Sequence, residues 1–280
     1  MGGIESTWTG PALFARVALV GAGWLVGRRR SKRRQRLRNT PMTRAWSACF
    51  DANVARYPNM PAVLRDELRG RVSEFVANKQ FVGCNGLQIT DEIRLTVASN
   101  ACLLLLNRNV PTFSNVLTML IYPTEFIAEF EAEDDWLHHK MVEIRSGESW
   151  ERGPLVLAWD EIQADVASGD ERNVVIHEFA HKLDEQNPDG DGLPILGDSR
   201  LQADWSRIMR AEFDALRAAA GRGETTLLDP YGAESPAEFF AVVTETFFGA
   251  AAALKARHPE LYGAMRDCFR VEPANWQKLN

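Results

Sequence analysis

Residues 174–184 read VVIHEFAHKLD, and the rest of the chain is best understood outward from them. Val174, Val175, Ile176, Phe179, Ala180 and Leu183 form an apolar background that holds two histidines and one glutamate. On a helix, positions four apart share a face, so His177 and His181 can turn their rings towards one point. Glu178 follows His177 and lies about 100° further round the helix axis. It can therefore stand beside a metal-bound water without ligating the metal, which is where a general base for that water belongs. Burying these groups among apolar neighbours is costly unless an ion or a charge partner satisfies them. A catalytic zinc takes three protein ligands and keeps a fourth position open, so a third ligand has to come from elsewhere in the chain.

Candidates for that ligand lie in residues 234–245. Ser235-Pro236-Ala237-Glu238-Phe239-Phe240-Ala241-Val242-Val243 opens as a helix should, with a serine cap and a proline in the first turn. Glu238 is an acid in an otherwise apolar helix opening, which a solvent-facing role does not explain. Glu245 lies on nearly the same face and could ligate instead, or could support a ligand histidine from behind. Asp184, one turn beyond His181, is another supporting candidate.

Further out, the periodicity of residues 61–80 and of 91–107 predicts amphipathic or buried helices, the second opened by Asp91. Val116–Tyr122, Met141–Arg145 and Leu155–Trp159 read as short strands. Downstream, helices are expected at about 171–184, 200–220, 235–250 and 259–268. Asn187–Gly192 breaks the first of these from the second, and the acidic, glycine-containing stretch 184–192 lacks the twelve-residue calcium pattern. The expected architecture is α+β: a helix-rich domain with a small β-sheet ahead of the active-site helix.

Composition is ordinary for a folded protein, with 45% apolar and 25% charged residues in a chain of 280. Cys49, Cys84, Cys102 and Cys268 are widely spaced, which argues against a cysteine metal knot or a disulfide framework and for reduced thiols in the cytoplasm. The net charge of −6 is unevenly distributed. Residues 1–39 hold nine basic side chains against Glu5 alone, a net +8, which leaves −14 on the other 241 residues. An acidic body repels phosphates, so direct nucleic-acid binding by the folded domain is not expected. The apolar stretch 6–27 is interrupted by Arg16 and precedes the basic cluster, the reverse of a secretory signal. Residues 6–38 are thus expected to be either a basic tail or a contact with the inner face of the membrane.

HEFAHKLD at His177–Asp184 and DPYGAESPAEFFAV at Asp229–Val242 together resemble the bacterial Mlc titration factor A peptidases. The similarity continues through Gly83–Glu92, Leu103–Leu106, Ile121–Pro123, Ser146–Pro154 and Arg257–Tyr262, covering roughly 60–270. The resemblance implies a zincin-like metallopeptidase domain of the gluzincin type over 41–280, behind a basic tail at 1–40. Its core would be similar to that of anthrax lethal factor. It also implies one Zn2+ per chain, held by His177, His181 and Glu238, with Glu178 activating water. Tyr231 stands seven residues before Glu238 and would donate to the developing oxyanion. Proteins of this family are associated with aminopeptidase activity on small peptides and with an Mlc-like repressor as partner. Two rival expectations are a non-catalytic regulator that sequesters a transcription factor and a purely structural zinc site.

Overall fold

The computed structural model describes residues 27–55, 57–108, 110, 112–124, 154–168, 172–185 and 199–276. It is helix-rich, with helices α1 (27–38), α2 (Arg44–Asn53), α3 (Ala62–Asn78), α4 (Asp91–Leu103), α5 (Trp159–Ser168) and α6 (Val174–Asp184). These are followed by α7 (Ser199–Gly221), α8 (Pro236–Gly249), α9 (Ala251–Arg257) and α10 (Pro259–Phe269). Strands β1 (Gln80–Gly83), β2 (Thr118–Tyr122) and β3 (Leu155–Ala158) form one parallel sheet in that order, with Gln80 opposite Thr118 and Met119 opposite Leu155. The α+β expectation is met, with the sheet ahead of α6 in the chain.

The strands differ in detail from the reading of the sequence. β1 carried no recognisable alternation, because it is a short edge strand with no fully buried residue. The strand expected at Leu155–Trp159 stops at Ala158. Trp159 instead begins α5, where the backbone N–H of Asp160 donates to Pro123 O and that of Glu161 to Asp160 Oδ1. The strand expected at Met141–Arg145 and the loop at Asn187–Gly192 lie outside the described residues.

Two elements dominate the interior. Every residue of α8 from Phe239 to Phe248 is buried, which marks a core helix rather than an amphipathic one. Phe240 lies against Trp205 of α7 and Phe269 of α10, with ring centroids 6.0 and 6.4 Å away. The buried side of α6 meets the first half of the chain through Phe179, whose ring is 4.6 Å from Phe113 and 5.7 Å from Phe75. α6 and α8 pack along each other, so ligand candidates 61 residues apart in sequence come to one place.

The basic segment after the apolar stretch is partly built into the body. Arg38 pairs with Glu74, whose side chain is 3% exposed, and Arg33 donates to Asn78 Oδ1, both on α3. Gly70 permits this approach, since a Cβ there would sit 2.9 Å from Arg38 O. Residues 6–26 lie outside the described residues. Among the described residues no single helix is long and apolar enough to cross a membrane. The four cysteines are unpaired.

Candidate metal centre

The N-terminus of α6 is anchored by three separate elements immediately before the first histidine. Asn173 caps the helix, its Oδ1 accepting from the backbone N–H of Ile176 at 3.0 Å. Its Nδ2 donates to Asn100 Oδ1 of α4 at 2.9 Å. Its backbone N–H donates to Glu245 Oε2 of α8 at 2.6 Å, while that of Val174 donates to Asp165 Oδ2 of α5 at 2.7 Å. The opening of α8 is set by Ser235, whose Oγ accepts from the backbone N–H of Glu238 at 3.1 Å, with Pro236 in the first turn.

With both helix starts held, His177, His181 and Glu238 converge. His177 Nε2 lies 3.0 Å from Glu238 Oε2 and 3.2 Å from His181 Nε2, and His181 Nε2 lies 3.5 Å from the same carboxylate oxygen. One ligand atom from each residue lies within 4.8 Å of the others. A tetrahedral ion with bonds of about 2.0–2.1 Å separates its ligand atoms by roughly 3.3 Å. The triangle therefore has the size of one face of such a site. Two ring nitrogens turned towards each other make a poor hydrogen-bonding arrangement and a good ligating one. The chemistry and spacing of these donors fit a divalent metal.

Glu245 occupies the supporting position, not the ligating one. Its Oε1 lies 2.7 Å from His177 Nδ1, on the far side of the ring from the cluster. With Nδ1–H donated to this carboxylate, Nε2 is the ring atom turned towards the triangle, and its lone pair would serve an ion that displaces its proton. Asp184 is buried in the last turn of α6.

The electrostatics match a charged, partly dry site. Burial alone would lower the pKa of His177, but hydrogen bonds to Glu238 and Glu245 outweigh it and lift it to about 10. Burial likewise pushes Glu238 up, yet its hydrogen bonds to both histidines bring it down to about 2. Glu178 is raised above the ordinary carboxylate range by burial, an effect that the charges of His181, His177 and Lys182 only partly offset. The cluster is open to solvent at its rim, since the side chains of His181 and Glu238 each keep 22% exposure.

Tyr231 lies on that rim. It is 47% exposed, with its ring centroid 6.0 Å from that of His177. The 3-10 turn Pro230–Ala233 carries it, and Asp229 Oδ1 caps the turn by accepting from the backbone N–H of Tyr231 at 2.9 Å. Gly232 lets this turn lie flat on the body, because a Cβ would come within 3.2 Å of Val242 and 3.3 Å of Leu216. The anchoring roles of Asn100, Asp165 and Asn173 were not read from sequence. Only Asn173, directly before the helix, carried a usable signal.

The profile of the glucose-regulated metallo-peptidase M90 family matches residues 28–270. The chain belongs to the M90 family. Its curated relatives include an uncharacterized protein of Synechocystis sp., 36% identical over 244 residues, covering 86% of this chain and 89% of that one. The Mlc titration factor A of Pectobacterium atrosepticum is 34% identical over 228 residues, covering 77% and 85%. That of Klebsiella pneumoniae subsp. pneumoniae is 34% identical over 219 residues, covering 76% and 82%. The M90 match starts inside α1, well upstream of the roughly 60–270 over which the sequence motifs carried the resemblance.

Proposed function

We propose that this M90 protein is a zinc peptidase of zincin-like architecture, working in the cytoplasm, that hydrolyses peptide bonds with water as nucleophile. The observation that carries this reading is the convergence of His177, His181 and Glu238 on a triangle of metal-ligand size, with Glu178 next to His177 in the chain. A bound Zn2+ supplies a Lewis acid and a water of lowered pKa. His177, His181 and Glu238 hold that ion, and Glu245 keeps the His177 ring in the ligating tautomer. Glu178 takes the proton from the attacking water and returns it to the departing amine. Its burial holds the carboxyl above the ordinary carboxylate range, which makes it a better proton acceptor than a solvated glutamate. The Tyr231 hydroxyl donates to the oxyanion that develops as the carbonyl is attacked. Tyr231 sits on an exposed turn, so a peptide can reach it without displacing the core.

Among peptide substrates the reading extends to aminopeptidase-like action on short chains. Digestion of a peptide library by the full chain, with and without chelator, tests it. Glu178→Gln and Tyr231→Phe are expected to retain one ion per chain. The first is expected to lose at least about a hundredfold in kcat, the scale of a general base. Undiminished hydrolysis by Glu178→Gln would overturn the assignment of the base.

A second reading is favoured by the name Mlc titration factor A that the Pectobacterium and Klebsiella relatives carry. In it, the chain also binds an Mlc-like repressor and holds it away from its target. If Glu178→Gln still captures such a repressor, binding and hydrolysis are separate activities of the chain. Loss of capture in that variant counts against an independent binding role.

A further inference from the structure

We propose that α1 is a docking surface for an anionic phospholipid bilayer and that it holds the folded body against that surface. The inference does not depend on the peptidase reading. Residues 28–38 carry eight cationic side chains and no acidic one, whereas the chain from residue 40 onward sums to −14. A helix of twelve residues is about 18 Å long, so these charges are concentrated on one short rod. The rod is not a loose tail, because Arg38 is tied to the buried Glu74 and Arg33 to Asn78. Arg34, Leu37 and Arg38 are the partly buried residues of α1, while Arg29, Arg30, Lys32 and Arg36 stay exposed. None of these four is paired with a carboxylate among the described residues.

Two features favour a bilayer over a nucleic acid. Residues 17–27, directly before the cationic run, read VALVGAGWLVG and hold no charge, a composition suited to the boundary between headgroups and acyl chains. A nucleic acid has no use for such a sequence. The acidic body would also repel a long polyanion that extended past α1, while a flat surface meets the cationic side alone. Each cation held near an acidic bilayer strengthens binding by roughly fivefold.

The test uses the full chain and sedimented vesicles of phosphatidylcholine alone or with phosphatidylglycerol added at one part in four. Binding is expected to the acidic vesicles only, and to weaken at least tenfold when salt is raised from about 0.1 M to about 0.5 M. The variant R29Q/R30Q/K32Q/R36Q is expected to bind acidic vesicles more than tenfold more weakly, with its unfolding temperature unchanged. The charge-preserving R29K/R30K/R36K is expected to bind as the parent chain does. Absence of binding, equal binding to neutral vesicles, or an equal loss in the lysine variant would each overturn the proposal. So would duplex DNA binding more tightly than acidic vesicles at matched phosphate concentration.

Discussion

His177 is held from both sides, by the ligand triangle at Nε2 and by Glu245 at Nδ1, and the second contact controls how well the first is made. Removing the Glu245 carboxylate leaves the ring free to change tautomer and to rotate. Glu245→Ala is therefore expected to weaken metal affinity by roughly 10- to 100-fold, measured by competition with a coloured chelator. Glu245→Gln keeps an acceptor for one of its two partners and is expected to fall between alanine and the parent chain. Affinity unchanged in both variants would show that the ring is fixed by packing alone. Glu238 itself was legible in the sequence as an acid that an apolar helix could not otherwise explain. The sequence did not show whether Glu245 ligates or supports, because both acids lie on one face of α8. The 2.7 Å contact with Nδ1 puts Glu245 behind the ring, away from the His177–His181–Glu238 cluster.

At the scale of elements, α1 and α3 form a pair whose stability depends on a buried carboxylate. Deleting the partner of a buried charge typically costs about 3–5 kcal/mol. Arg38 keeps 27% exposure, so water can partly replace it, and Arg38→Ala is expected to cost about 2 kcal/mol in urea unfolding. Arg29→Ala, on the exposed side of the same helix, is expected to change stability by less than about 0.5 kcal/mol. Equal effects would mean that the Arg38–Glu74 contact contributes nothing specific. This docking was hidden in the sequence by composition, since a run of arginines reads as solvated whether or not one of them meets a buried acid. Helix α5 was missed for a related reason. Leu155–Trp159 is apolar enough to continue as a strand, and only the contact of Asp160 with Pro123 shows where the chain turns into a helix.

Across the whole molecule, the ligand triangle links α6 to α8, so an ion there ties the two central helices together. An ion at about a thousand times its Kd stabilises the folded state by about 4 kcal/mol. For a chain of this size that corresponds to roughly 10 °C in Tm. Chelation is expected to remove that increment and added zinc to restore it, with no response in His181→Ala. The chelated protein should in addition show a pH optimum of stability. Glu238, lowered to about 2, stabilises the fold above its unfolded value near 4.5, and this is lost as pH falls towards 2. His177, raised to about 10, stabilises fully below its unfolded value near 6.5, and this is lost as pH rises through 10. Both contributions are complete between about pH 4.5 and 6.5. Urea midpoints of chelated protein across pH check this, and Glu238→Gln is expected to flatten the profile.

Local spacing was enough to identify the motif helix, its two histidines, the adjacent glutamate and the capped opening of α8. Those features depend on residues one to four apart, whose relative placement the helix itself sets. Which acid completes the triangle, which one braces the ring, and two of the three anchors at the start of α6 depend on contacts between residues 61 to 73 positions apart, Asp165 being the nearer third anchor. Helical periodicity carries no information over such separations. They were settled only by the packing of α4, α5 and α8 around α6, where buried polar groups had to find one another to offset the loss of water.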